Sequence, residues 1–161
     1  MSYRIVPMDS PEIFQYPFGY ISEPGMTRLT EAEVKNFREY VDRGGFVMLD
    51  DFDGPRQFAI MKQNIDRAFP DREMFKMADG HPILNTYYPI DSLYVESPYN
   101  VGAPAEFYGI NNDKGELAVI ICANNDIGDY WEWLDQPMYP LKPSAEGVKL
   151  GINFVLYSMT H

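Results

Sequence analysis

Three aspartates stand close together in Asp50-Asp51-Phe52-Asp53-Gly54, directly after the apolar run Phe46-Val47-Met48-Leu49. Carboxylates at the end of a buried strand can share a hard cation such as Mg²⁺ or exchange protons with a substrate. Asp51 and Asp53 are the metal candidates, and Asp50 and Asp51 the catalytic ones. The same residues also end strands and cap helices in water, so both readings stand. A second segment, Asn124-Asn125-Asp126-Ile127-Gly128-Asp129-Tyr130-Trp131-Glu132-Trp133, combines amides, carboxylates and two indoles. Asn124, Asn125, Asp126, Asp129 and Trp131 suit a small polar ligand or a sugar face. The alternative is an Asx-rich turn leading into a short helix whose tryptophans pack on the core. His81, before Pro82, is a further acid-base candidate that could work with Asp50, or a plain surface or capping residue. Cys122 ends an apolar strand without a Gly-x-Cys-x-Gly elbow, which predicts a buried and inert thiol.

Local sequence predicts the elements that would position these groups. Thr30 and Glu33 have capping-box spacing, Leu29 and Val34 the spacing of a hydrophobic staple, and Gly44-Gly45 a stop signal. A helix is expected over 31–43. The run 46–49 reads as a strand buried on both faces, and Phe58, Met61, Ile65, Ala68 and Phe69 as one face of a second helix ended by Pro70. Phe18 to Ile21 reads as another strand, after a Ser10-Pro11 helix start. The run 117–122 is the most β-prone in the chain and is expected to be central, with hairpin-turn chemistry at 112–115 before it. Val148, Ile152, Val155, Leu156 and Met159 predict a C-terminal helix, with Gly147 and Gly151 where a neighbour could pack closely. Proline-punctuated turns and irregular loops are expected over 77–106.

Helix followed by buried strand across a tight glycine turn is half of a parallel α/β unit. The 161 residues, without repeat or linker, predict a single domain over 1–161. A formal charge of −11 argues against nucleic acid and anionic membranes as partners. Neither a membrane segment nor an export signal is seen, so the chain is expected to be soluble. A single cysteine precludes an internal disulfide framework.

Asp51-x-Asp53-Gly54 resembles the opening motif of haloacid-dehalogenase-type phosphatases, whose first aspartate is a nucleophile and second a general acid. Pro55 stands where that motif usually has Thr or Val, and no matching lysine motif follows. Over nearly the whole chain, the ordered segments Tyr16-Pro17-Phe18, 29–33, 44–51, His81-Pro82, Asp126-Ile127-Gly128-Asp129 with Trp131-Glu132, and Gly151-x-Asn153 with Tyr157 resemble the bacterial family domain of unknown function 4159. The resemblance implies a flavodoxin-like three-layer sandwich with a mostly parallel sheet, related to class I glutamine amidotransferases. It also implies a further N-terminal strand before Tyr3 in other members, and export in many of them. The elbow that carries the amidotransferase cysteine would correspond to Asp50-Asp51, so glutaminase activity is not expected. Without a signal in this chain, the cytoplasm is the expected compartment if the chain is complete.

The leading expectation is therefore a domain that binds a small polar ligand or a protein partner through one surface formed by the aspartate turn and the Trp-containing loop. The alternative is a hydrolase, either Mg²⁺-dependent through Asp51 and Asp53 or metal-free through Asp50 and His81. No cofactor is expected, with Mg²⁺ the exception. A third reading, an oligomerising domain, requires an exposed apolar patch near Trp131, Trp133 or Tyr139.

Overall fold

A computed structural model of the chain describes residues 3–93, 95, 97–98 and 103–161. Ser10 accepts a hydrogen bond from Glu12 N–H at 3.2 Å and starts a short 3₁₀ helix, Pro11–Gln15. Strand β1, Phe18–Ser22, follows and leads to helix α1, Glu31–Asp42. The capping box is complete: Glu33 N–H donates to Thr30 Oγ1 at 3.3 Å, and Thr30 N–H donates to Glu33 Oε2 at 2.7 Å. At the other end Gly44, with φ +95°, allows Gly45 N–H to reach Tyr40 O and Gly44 N–H to reach Val41 O. Only a residue without Cβ adopts that left-handed turn at no cost.

Strand β2 spans Phe46–Phe52 and helix α2 Gly54–Ala68. The strand therefore extends past the apolar run that ends at Leu49, and Asp50 and Asp51 lie within it instead of in the turn expected after it. Strands β3, Phe75–Lys76, and β4, Glu106–Asn111, come next, separated by a stretch whose one regular piece among the described residues is the 3₁₀ helix Pro82–Asn85. Within the irregular region expected over 77–106, residues 94, 96 and 99–102 lie outside the described ones. Asn112–Gly115 closes a hairpin into β5, Leu117–Ala123, through Gly115 N–H to Asn112 O at 3.0 Å. Helices α3, Ile127–Glu132, and α4, Leu141–Ser158, complete the chain.

The result is a mixed α/β fold with one five-stranded sheet in the order β1-β2-β5-β4-β3. The ladders β1-β2 and β2-β5 are parallel, while β4 runs antiparallel to both β5 and β3. Central β5 is buried along its whole length, as its composition requires. Alternation along the strands sends Phe46, Met48, Ile120 and Cys122 to one face, under Leu150, Phe154 and Tyr157 of α4 and under Ile83 and Leu84. Val47, Leu49, Val119 and Ile121 face the other way, under Val34, Phe37 and Val41 of α1 and Met61 and Ile65 of α2. Each such side chain, fully buried, contributes about 1.5–3 kcal/mol. The two faces together hold the sheet between two helical layers.

Helices α3 and α4 meet through the glycines of α4. A Cβ on Gly147 would come within 2.9 Å of Tyr130 Cβ, and one on Gly151 within 2.5 Å of Trp131 Cζ2. The small side of α4 thus admits the aromatic rings of α3.

Candidate functional site

The chain leaves β2 for α2 on one face of the sheet and leaves β5 for α3 on the other. Two adjacent parallel strands that send their connections to opposite faces open a crevice at their carboxyl ends, the usual ligand position in α/β sheets. Three non-glycine residues with left-handed backbone fall at the ends of the three parallel strands: Glu23 (φ +52°) after β1, Asp51 (φ +60°) near the end of β2, and Asn124 (φ +56°) after β5. Each such residue costs of order 1–3 kcal/mol and persists where surrounding contacts hold it. Here Ser22 donates to Asp51 Oδ2 at 2.8 Å. Asn124 Oδ1 accepts from Gly54 N–H at 2.9 Å, and its Nδ2 donates to Pro104 O at 3.0 Å.

Asp50 is completely buried inside this rim. Its Oδ2 accepts from Gly128 N–H, in the first turn of α3, at 2.8 Å and from the Tyr20 hydroxyl of β1 at 3.1 Å. Its Oδ1 has no hydrogen-bond partner. Burial pushes the carboxyl up to about 7, against the opposing pull of the Gly128 and Ile127 N–H groups, the Tyr20 hydroxyl and the Asp51 N–H. Asp126, 7% exposed, caps α3 by accepting from Asp129 N–H at 2.9 Å. It is likewise raised to about 7, first by burial and further by the charges of Asp50, Asp51 and Asp129, with the Asp129 N–H opposing. A Cβ on Gly128 would lie 2.3 Å from the Tyr20 hydroxyl and 3.5 Å from Asp126 Oδ1, so tyrosine, glycine and both aspartates converge on one point. The Tyr20 hydroxyl is raised far above its ordinary value by burial and then by Asp50, and stays protonated to serve as a donor. Burial, followed by the charge of Asp50, also raises the Cys122 thiol, which is buried as expected.

The cluster therefore brings Asp50 and Asp126 together at Gly128, with Asp129 bonded to Asp126 through its N–H and Asp51 close enough for its charge to raise Asp126. Other sequence candidates are engaged in bracing. Asn125 is buried, donating to Val95 O at 3.1 Å and accepting from Asp126 N–H at 2.9 Å. The single donor of Trp131 goes to Gly147 O at 2.8 Å, and its ring sits between α4 and Tyr20. Asp53 is exposed at the N-cap of α2, where it makes no side-chain capping bond. Asp50 turns to α3 and Asp51 to Ser22, so the three aspartates of 50–53 do not converge. Among the described residues no group of three or more His, Cys, Asp or Glu side chains is arranged to hold a metal ion.

His81 lies elsewhere. Its Nδ1 accepts from Ile83 N–H at 3.2 Å, and its ring lies 6.4 Å from that of Tyr157, which packs on Phe46 at the start of β2. Four residues of strand, about 13 Å, separate Phe46 from Asp50. The proposed Asp50-His81 acid-base pair is thus broken by the fold: docking of the 3₁₀ helix 82–85 against α4 carries His81 to the opposite end of the sheet. Sequence reasoning missed Tyr20, Ser22 and Gly128. The alternation Phe18, Tyr20, Ser22 was available, but nothing local marks Tyr20 as the partner of a residue 30 positions on. Two small cavities, about 10 and 30 Å³, lie beside Gly44-Gly45 and beneath α1 and α2, and neither is lined by a residue of the cluster.

The family profile for domain of unknown function 4159 (DUF4159) matches residues 1–159. The chain belongs to this family. A comparison with curated proteins finds no match. Within this DUF4159 domain, no helix among the described residues is long and apolar enough to cross a membrane.

Proposed function

We propose that this DUF4159 domain binds a small polar ligand in the crevice at the carboxyl ends of β1, β2 and β5. The observation that carries the reading is the fully buried Asp50 at a strand end, with one oxygen unpartnered and a second buried carboxyl, Asp126, at the same glycine. A polar group desolvated in this way costs stability, and such groups are retained where they serve a site. The partners of Asp50, Asp51 and Asp126 described above are hydroxyls and backbone N–H groups. What Asp51, Asp126 and Asp129 would add toward a ligand is acceptor capacity, so the fitting ligand carries hydrogen-bond donors or a positive charge: an amine, an amino sugar or a polyol. Helices on both faces of the parallel strands and a left-handed residue at the end of β2 support descent from a flavodoxin-like, glutamine amidotransferase-like ancestor. Asp51 occupies the elbow where a thiol would be needed for glutaminase chemistry.

The test is a thermal-shift and calorimetric screen of diamines, amino sugars and polyols against wild type, Asp51→Asn and Asp126→Asn. Saturable binding weakened about tenfold or more by either substitution is expected, the worth of one charge-assisted hydrogen bond. A ligand bound equally well by all three proteins sinks the reading, as does an empty screen.

A hydrolase remains the second reading, favoured by one observation: Asp51, held left-handed between strand and helix, is presented as nucleophiles on strand-to-helix elbows are. Mg²⁺ would then have to be held by Asp51 and Asp53 with substrate oxygens completing its shell. Calorimetric titration of Mg²⁺, Mn²⁺ and Ca²⁺ into metal-stripped protein, with Asp51→Asn as control, separates the two. Heat lost in the variant favours the hydrolase.

A further inference from the structure

From the end of α3 to the first residue of α4 the chain exposes Trp133 (40%), Leu134 (46%), Met138 (81%) and Leu141 (80%), four large apolar side chains within nine residues. Single exposed apolar residues are ordinary, but a cluster of this kind is not. The segment is held in shape. Gln136 N–H donates to Trp133 O at 2.9 Å and Tyr139 N–H to Gln136 O at 3.1 Å, making two successive tight turns, and Ser144 N–H to Pro140 O at 3.1 Å opens α4. The Tyr139 hydroxyl ties the middle of the segment to Asp129 of α3 at 2.8 Å. Pro137 and Pro140 restrict the backbone further. A segment ordered in this way presents its apolar groups without paying much entropy on binding, and Trp and Met are residue types enriched in interface cores.

The charge around the patch selects its occupant. Glu132 and Asp135 are exposed beside Trp133 and Leu134, and within 129–142 Lys142 is the one basic residue against Asp129, Glu132 and Asp135. The whole chain carries −11, so a second copy or an anionic membrane would meet repulsion. We propose that the Trp133, Leu134, Met138 and Leu141 surface docks a basic segment of a partner protein, its apolar side chains seated on the patch and its Lys or Arg residues facing Glu132 and Asp135. This interaction does not depend on ligand binding in the crevice.

The probe is a synthetic amphipathic peptide of Leu and Lys at helical spacing, titrated at physiological salt and followed by calorimetry, with a Leu and Glu peptide of the same pattern as comparison. Saturable binding with Kd below about 100 µM is expected for the basic peptide alone. The triple variant Trp133→Ser, Met138→Ser, Leu141→Ser should weaken it at least about tenfold, since it removes the apolar surface that the peptide would bury. Because these side chains are exposed, the variant should keep its circular dichroism and unfolding midpoint. Glu132→Lys with Asp135→Lys should weaken binding with the apolar residues intact, and Asp50→Asn should leave it unchanged, so failure here is distinct from failure of the crevice. Several results overturn the proposal: no saturable binding, equal binding by the triple variant, or equal binding of the acidic peptide. Sedimentation showing a wild-type dimer that the triple variant loses would make a second copy the occupant, and flotation with anionic vesicles through these residues would make it a membrane. Either outcome also overturns it.

Discussion

Asp50 makes the stability of this domain fall as pH rises through the neutral range. Its folded-state value of about 7 stands above the ~3.9 of an aspartate in an unfolded chain. Between those values the folded protein holds a proton that the unfolded chain releases, so raising the pH favours unfolding. For this one group, linkage gives a loss of about 2.6 kcal/mol between pH 5 and pH 8. In a domain of this size that corresponds to roughly 5–10 °C in Tm. Asp126 acts in the same direction, but it feels the charge of Asp50, so the two titrate as a pair and their contributions do not simply add. Three other groups oppose the trend, one of them Glu106, which its hydrogen bond with Lys76 lowers so that it acts only below the ordinary carboxylate range. Burial lowers His81, which raises stability with pH up to its unfolded value near ~6.5. Asp71, held down to about 2 chiefly by its hydrogen bond to Arg38, acts only as pH falls below the ordinary carboxylate range. The informative quantity is therefore the difference between wild type and Asp50→Asn, in which these three cancel. Asparagine mimics the protonated acid and can still accept from Gly128 and Tyr20. Urea unfolding at pH 5, 6, 7 and 8 should show the variant gaining about 2.6 kcal/mol on wild type across that range. A difference that stays constant with pH would refute the claim that burial keeps Asp50 protonated.

Two further outcomes follow from the packing. Gly128→Ala would push a methyl group into the Tyr20 hydroxyl and should destabilise by about 1–3 kcal/mol; adding Tyr20→Phe should recover part of the loss, whereas equal or additive losses in a double-mutant cycle would show that the two residues do not meet. Thr30→Ala removes half of the capping box of α1 and should cost about 1 kcal/mol by chemical unfolding, and an unchanged midpoint would mean that α1 is held by its packing alone.

The parts of the fold legible in the sequence are those governed by neighbours a few residues apart. The capping box, the glycine stop at 44 and the apolar face of α1 lie within fifteen residues of one another, and helix physics acts over that range. The glycine stripe of α4 likewise announced a close neighbour, which proved to be Tyr130 and Trp131. Strand β4 was not expected, only hairpin-turn chemistry after it, because Glu106, Gly109 and Asn111 interrupt its apolar pattern. The aspartates at 50–53 could be singled out but not assigned. Asp and Gly have low strand propensity, which made the run seem to end at Leu49. What keeps Asp50 in the strand is its pairing with Ser22 of β1, Asp51 sits in the irregularity before Phe52 rejoins β5, and what satisfies Asp50 is an N–H 78 residues away.

By itself, then, the sequence determined the boundaries of α1 near its caps, the central β5, the α/β class and the residue types available for chemistry, since each depends on local propensity or periodicity. Tertiary structure alone decided which of those residues meet. The opposite departures of the chain from β2 and β5 put Asp126 beside Asp50, and the docking of the 82–85 turn on α4 put His81 a strand's length away. Long-range packing sets such distances, and no local spacing encodes them.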